Sequence, residues 1–249
     1  MLLRLLILSL LITLPVSSGS DNGRLYYSNN RMLSVKKISF PCKKPPIALV
    51  EKMLDSCSVP FHSIDCLNWK AYPYKPDVQF RIAWSNEEIY LQYRVKERYI
   101  RAKFTEDTGS QPYKDSCVEF FMIPAGDSIY YNLEMNCIGT CTFAGGAKRT
   151  ERTRFGNDVT SQVRRSSSLG KDGFDTKDGE FEWTITMAIP ISIYSLSKFD
   201  SLGGRSVKAN FYKCGDELPE PHYLSWNPIN LEKPNFHTPD FFRDIYFEK

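Results

Sequence analysis

Two short runs of this 249-residue chain place carboxylates and amides where they could act on a ligand. They are Asp115-Ser116-Cys117-Val118-Glu119-Phe120-Phe121 and Tyr130-Tyr131-Asn132-Leu133-Glu134-Met135-Asn136. Both alternate with period two, as a β-strand does when it sends successive side chains to opposite faces. In the second run Asn132, Glu134 and Asn136 share one face, and Tyr131, Leu133 and Met135 share the other. A row of amide, carboxylate and amide offers donors and acceptors to hydroxyl groups, and a carboxylate forms the stronger, charge-assisted bonds. A solvated strand face would show the same pattern. Glu119 shares its face with Cys117 and Phe121, and its plain structural alternative is an ion pair with Arg94, Arg101 or Lys208.

Hydrolytic chemistry would need two carboxyls held roughly 5 Å apart, or roughly 6.5–9.5 Å apart, across a glycosidic bond. Asp115 and Glu119 on one strand would lie about 13 Å apart at ~3.3 Å per residue. Glu119 and Glu134 could come closer, and only topology decides it. Nucleophilic hydrolysis has less support: the histidines are His62, His222 and His237, and no Gly-x-Ser-x-Gly elbow occurs. Asp172, Asp175 and Asp178 flank glycines in a polar loop and could hold a structural calcium, with solvated turns as the simpler account. Cys137 and Cys141 lack the second His or Cys pair of a zinc site. No other cofactor is expected.

The elements that must position these groups are strands. Gln79–Trp84 and Ile89–Val95 alternate around Asn86-Glu87-Glu88 and predict a hairpin. Glu180–Ile189 and Ser206–Cys214 alternate cleanly, and the chain closes with a strand at Ile245–Glu248. Ile47–Leu54 after Pro45-Pro46 predicts one short helix, since Pro favours helix starts. Trp69, Trp84 and Trp183 are expected in the core, while Trp226 suits either core or pocket wall. Many short strands with turn signals predict an all-β, jelly-roll-type antiparallel sandwich with little helix.

Composition and the ends set further bounds. Lys and Arg number 32 against 29 Asp and Glu, without the basic stripe of a nucleic-acid binder. Arg4, the apolar stretch Leu5–Leu14 and small residues up to Ser20 read as a signal peptide over residues 1–20, so an exported, periplasmic or extracellular protein is expected. That stretch is short of the roughly 20 apolar residues of a membrane span. Residues 21–60 read as an irregular lead-in and 61–249 as one β-domain. Seven cysteines leave at least one unpaired, and Cys57 with Cys66 is the expected disulfide.

Several short motifs, in order, carry a family resemblance. They are Ile64-Asp65 followed by Trp69, Ile89-Tyr90-Leu91, Asp115-Ser116-Cys117-Val118-Glu119, the Asn/Glu strand at 132–136, Trp183 before Ile189-Pro190, and Trp226 with the Pro239–Phe242 tail. From Ile64 onward the chain resembles carbohydrate-binding module family 9, in particular the exported members of Bacteroides-type bacteria. The resemblance implies a non-catalytic sandwich that recognises the terminal sugar of a glycan during polysaccharide breakdown. Partner enzymes would be separate chains. A carbohydrate-active enzyme using Glu119 and Glu134, or an interaction domain whose sugar site has decayed, are the alternatives. The resemblance also implies two aromatic rings clamping the sugar, which fall here at Tyr113 and Phe236. Polar contacts fall at Glu119, Glu134 and Asn136, and a further strand position at Tyr212. Family members carry Trp at both clamp positions and an amide at the last, so this chain departs at all three. Trp226 completes the candidate set.

Overall fold

The structure is a computed structural model that describes residues 32–124 and 126–249. The expected signal peptide at residues 1–20 lies outside the described residues. In chain order the elements are β1 (Leu33–Lys37), α1 (Ile47–Ser56), β2 (His62–Ser63), β3 (Cys66–Leu67), β4 (Asp77–Trp84), β5 (Glu88–Ala102), β6 (Cys117–Ile123) and β7 (Tyr130–Asn136). There follow β8 (Cys141–Lys148), β9 (Glu151–Arg154), α2 (Asn157–Thr160), β10 (Arg164–Ser167), β11 (Phe174–Pro190), β12 (Ser206–Cys214), β13 (Tyr223–Ser225) and β14 (Arg243–Phe247).

The strands form two layers. One runs β10, β11, β5, β4, with β2 also on β4; the other runs β14, β12, β6, β7, β8, β9, with β13 on β12 and β3 on β13. Neighbours within each layer are antiparallel. Strand β1 joins the layers, running parallel to β14 through Leu33–Val35 and to β4 through Lys36 and Lys37. This is the all-β sandwich that the alternation predicts.

The core follows from that alternation. Phe80, Ile82 and Trp84 of β4, Leu91 and Tyr93 of β5, and Trp183 and Ile185 of β11 bury against the other layer. That layer contributes Val118 and Phe120 of β6, Leu133 of β7 and Phe211 of β12. Phe80 and Phe211 stack across the layers with centroids 3.7 Å apart. Fully burying such a ring contributes roughly 1.5–3 kcal/mol. Trp226 stands edge-on to both, at 5.9 and 5.6 Å, so it belongs to this core.

The second layer is covered on its outer face as well. Cys117, Phe121, Tyr130 and Tyr212 pack there with Trp69, Phe236 and Phe242. Strands β6 and β7 are therefore buried at every position. The polar face of β7 is an interior surface, not a solvated one.

Three expectations are corrected. Over residues 32–60 the expected lead-in is not irregular, because β1 bridges the layers and Val50 and Leu54 of α1 bury beside Ala83, Tyr90 and Ala188; residues 21–31 lie outside the described residues. Cys57 and Cys66 form no disulfide: all seven cysteines are free thiols. The Cys57 amide N–H donates to the Met53 carbonyl at the end of α1, while the Cys66 thiol donates to the Trp226 carbonyl across the sheet. Their backbones serve different elements. Asp175 and Asp178, expected in a loop, lie at the start of β11, where they pair with Lys103 and Arg98 at exposed positions.

Candidate functional site

A cavity of about 290 Å³ opens over the outer face of the second layer. Its floor comes from ladder register. Glu119 of β6 lies directly opposite Glu134 of β7 on one side and Tyr212 of β12 on the other. Residues directly opposite on antiparallel strands hold their Cβ atoms ~4.5–5.5 Å apart. The backbone therefore forces two carboxylates together, and both side chains line the cavity.

Three segments build the walls. A single turn of tight helix, Pro112–Lys114, carries Tyr113. That turn is tied to the loop after β12: the amide N–H groups of Asp216 and Glu217 donate to the carbonyls of Tyr113 and Lys114, at 3.1 and 3.2 Å. Gly215 lets this loop turn, since a Cβ there would sit 2.4 Å from Leu218 and 2.9 Å from His222. The turn carries Asp216 into the cavity. The segment before β14 supplies Phe236 and His237. Phe236 stacks on Tyr212 with centroids 4.2 Å apart and planes 11° from parallel, and Trp69 and Tyr223 stand around it. The β8–β9 hairpin brings Arg149, Arg152 and Arg154 to the rim. Gly146 permits that hairpin to close, because a Cβ would lie 2.2 Å from the Glu151 carbonyl oxygen.

Burial controls the electrostatics. The Glu119 carboxyl is pushed well above the usual carboxylate range, first by loss of water and then by Glu134. It accepts a hydrogen bond from the Cys214 thiol at 3.1 Å. Burial also raises Glu134, against the pull of Arg152, Thr142, Arg154 and Asn132. It accepts from the Asn132 amide at 2.8 Å and the Thr142 hydroxyl at 3.2 Å. Asp216 rises to about 6 through burial, then Glu134 and Glu217. His237 is pushed down to about 3 by burial and the three arginines. The Arg152 guanidinium lies 3.2 Å from its Nδ1, and a guanidinium only donates, so Nδ1 accepts and the proton sits on Nε2. Arg152 also donates to the Asn132 side-chain oxygen Oδ1 at 2.7 Å. The pocket thus combines apolar rings, clustered carboxyl groups and a cationic rim.

Of the sequence candidates, the structure brings Tyr113, Glu119, Glu134 and Phe236 to the cavity. It does not bring the other three. Asn136 is fully buried two residues beyond Glu134 and spends its amide on the structure. It donates to the Phe104 carbonyl at 2.8 Å and Asp115 at 3.0 Å, and accepts from the Ile138 and Thr140 amides. Tyr212 lies behind Phe236, buttressing the ring. Trp226 faces the inner core. The ion pair that would be the structural alternative for Glu119 is not made: Arg101 pairs with Asp115 and Glu217, and Lys208 with Asp244.

The sequence reading missed Asp216, His237 and the three arginines. Arg152 and Arg154 alternate, as strand residues sharing a face do, and His237 directly follows Phe236. Nothing local says that either segment closes over β6 and β7.

This sandwich agrees with known proteins. The profile of Carbohydrate-binding family 9 matches residues 48–247, and the chain belongs to that family. It is similar to a candidate carbohydrate-binding protein from Bacteroides uniformis, at 45% identity, covering 87% of this chain and 98% of that one, with a TM-score of 0.83. It also aligns with a family 9 carbohydrate-binding module from Caldicellulosiruptor kristjanssonii solved with cellotriose. There the identity is 13%, the coverage 88% of this chain and 94% of that one, and the TM-score 0.50. No curated protein matches the chain.

Proposed function

We propose that this protein binds the terminal sugar of a glycan in the cavity walled by Tyr113 and Phe236, without cleaving it. Family membership supplies the ligand class. The observation that carries the site is the meeting of two aromatic side chains with Glu119 and Glu134 in one small cavity. Pyranose C–H faces suit aromatic walls, and ring hydroxyls suit convergent polar groups. At about 290 Å³ the cavity is small for a ligand pocket, which favours the end of a chain over its middle. The signal-like N-terminus supports an exported protein acting beside separate carbohydrate-active enzymes in polysaccharide breakdown.

One observation favours the enzymatic alternative. Glu119 and Glu134 are directly opposed, so their Cβ atoms lie ~4.5–5.5 Å apart, close to the ~5 Å carboxyl spacing of retaining glycosidases. Both, however, rise from one sheet surface and approach a sugar from the same side, whereas a glycosidase pair flanks the scissile bond. Calorimetry with glucose, cellotriose and a wider glycan panel tests the binding reading. Saturable binding is expected, weakened in Glu119→Gln and Phe236→Leu proteins that remain folded. Failure to bind any glycan would sink it. Sugar release from oligosaccharides, abolished by Glu119→Gln, would replace it with catalysis.

A further inference from the structure

The cavity floor holds a second constellation, of which sugar binding uses only the carboxyl. Cys117 of β6 and Cys214 of β12 are directly opposed in the ladder, and Glu119 stands two residues from Cys117 on the same face. We propose that Cys117, Cys214 and Glu119 form a binding site for one thiophilic divalent cation of the zinc class, with its fourth position open to the cavity.

Among the described residues, these form the one group of three His, Cys, Asp or Glu side chains whose ligand atoms all lie within 4.8 Å of one another. Three donors at that spacing can close on an ion with bonds of ~2.0–2.3 Å after small side-chain rotations. Two sulfurs and one oxygen form a donor set suited to zinc or cadmium rather than to calcium or magnesium. Three protein ligands with an open position define an exchangeable zinc site, as distinct from a closed structural one. The backbone ladder fixes all three donors in advance. Cys214 and Glu119 line the cavity, which gives an ion its way in, while Cys117 lies fully buried behind them. Besides the bond from Cys214 to Glu119, the two thiols contact each other and make long contacts to backbone carbonyls at 3.6 Å. Binding breaks two S–H bonds and forms two metal–thiolate bonds. The thiol protons, and the Glu119 proton where it is present, pass to solvent, and nothing is oxidised. Two thiolates, one carboxylate and a dication leave one negative charge, which the Arg149, Arg152 and Arg154 rim offsets.

The site does not depend on the sugar reading, and its test uses no sugar. Reduced full-length protein is titrated with cadmium ion alone, following the thiolate-to-cadmium charge-transfer absorption. One equivalent per chain should give the band of two thiolates. The band should persist in the Cys42→Ser/Cys57→Ser double variant, which removes the two more accessible thiols. It should vanish in Cys117→Ser and Cys214→Ser, and Glu119→Gln should weaken binding at least about tenfold. Since serine variants at buried positions could misfold, cadmium NMR of the double variant reads the donor set with the site intact. A two-sulfur shift supports the proposal. A shift without sulfur, loss of the band in the double variant, or no stoichiometric binding would overturn it. So would a Cys117–Cys214 disulfide in peptide maps of unreduced protein that persists under mild reduction.

Discussion

Lys213 and Cys214 are neighbours on β12, yet they open onto two opposite kinds of buried polar cluster. On the inner face, the Lys213 ammonium lies 2.8 Å from Glu97 and 2.8 Å from His222 Nε2. The Trp183 indole N–H donates to the other Glu97 oxygen at 2.7 Å. His222 is held neutral, well below its ordinary pKa, by burial and by Lys213. Opposite charges meet, and the cluster is sealed. On the outer face, Cys214 donates to Glu119, which sits beside Glu134 with no cation in direct contact. Two carboxyl groups meet there, and the cluster opens to a cavity. A buried pair compensated by its own chain contributes to the fold. A buried pair left for a ligand to complete is suited to binding.

Breaking the sealed cluster should have the largest effect. Lys213→Met leaves Glu97 buried without its cation and should destabilise by about 3–5 kcal/mol in denaturant unfolding. If Glu119→Gln costs as much, the two clusters are not different in kind. Removing a carboxyl whose charged form burial and Glu134 disfavour should instead leave stability unchanged or slightly raised.

Next comes Asn136→Ala, which orphans two buried backbone N–H groups and should cost about 1–3 kcal/mol. Sugar affinity should stay unchanged, because Asn136 lies outside the cavity. A selective loss of affinity would place it back in the site.

Asp216 sharpens the electrostatic half of the comparison. Its folded pKa of about 6 stands above the ordinary 3.8, so its contribution favours folding most at pH below 3.8 and is lost as pH rises through about 6. Asp216→Asn should remove about 1–2 kcal/mol of that decline, allowing for solvent screening, measured as unfolding free energy between pH 4 and 7. An unchanged pH profile would show that Asp216 does not feel the cavity.

The smallest effect is expected for Tyr113→Ala. Its ring is partly exposed at the cavity wall, so sugar affinity should fall about fivefold, near 1 kcal/mol, with little change in melting temperature. An equal loss for a ligand that lacks a pyranose ring would argue against stacking.

Local alternation made much of this legible. Tyr130–Asn136 and Ser206–Cys214 fold as strands over the expected residues, with Tyr131, Leu133, Val207 and Phe211 turned inward. Glu119 and Glu134 were visible as polar positions on a shared type of face. Asn136 carried the same signal and is structural, since period-two patterning assigns a face and says nothing of what covers each point along it. Phe104 and Asp115 cover Asn136; Tyr113 and the rim arginines surround Glu134. Spacing in sequence likewise misplaced the disulfide at Cys57 and Cys66, whereas the two thiols that the ladder sets face to face are 97 positions apart, at Cys117 and Cys214.

By itself, the sequence determined the strands, their inward faces, the sandwich class and a carboxylate on each of two strands, because side-chain direction in a strand is a local property. Tertiary structure alone decided that β6 and β7 pair with Glu119 opposite Glu134, and that the outer face is roofed rather than wet. It also decided which carboxyl groups are left without a protein cation. The first depends on the register between consecutive strands, and the others on segments about a hundred residues apart meeting over that face and on the loss of water where they meet.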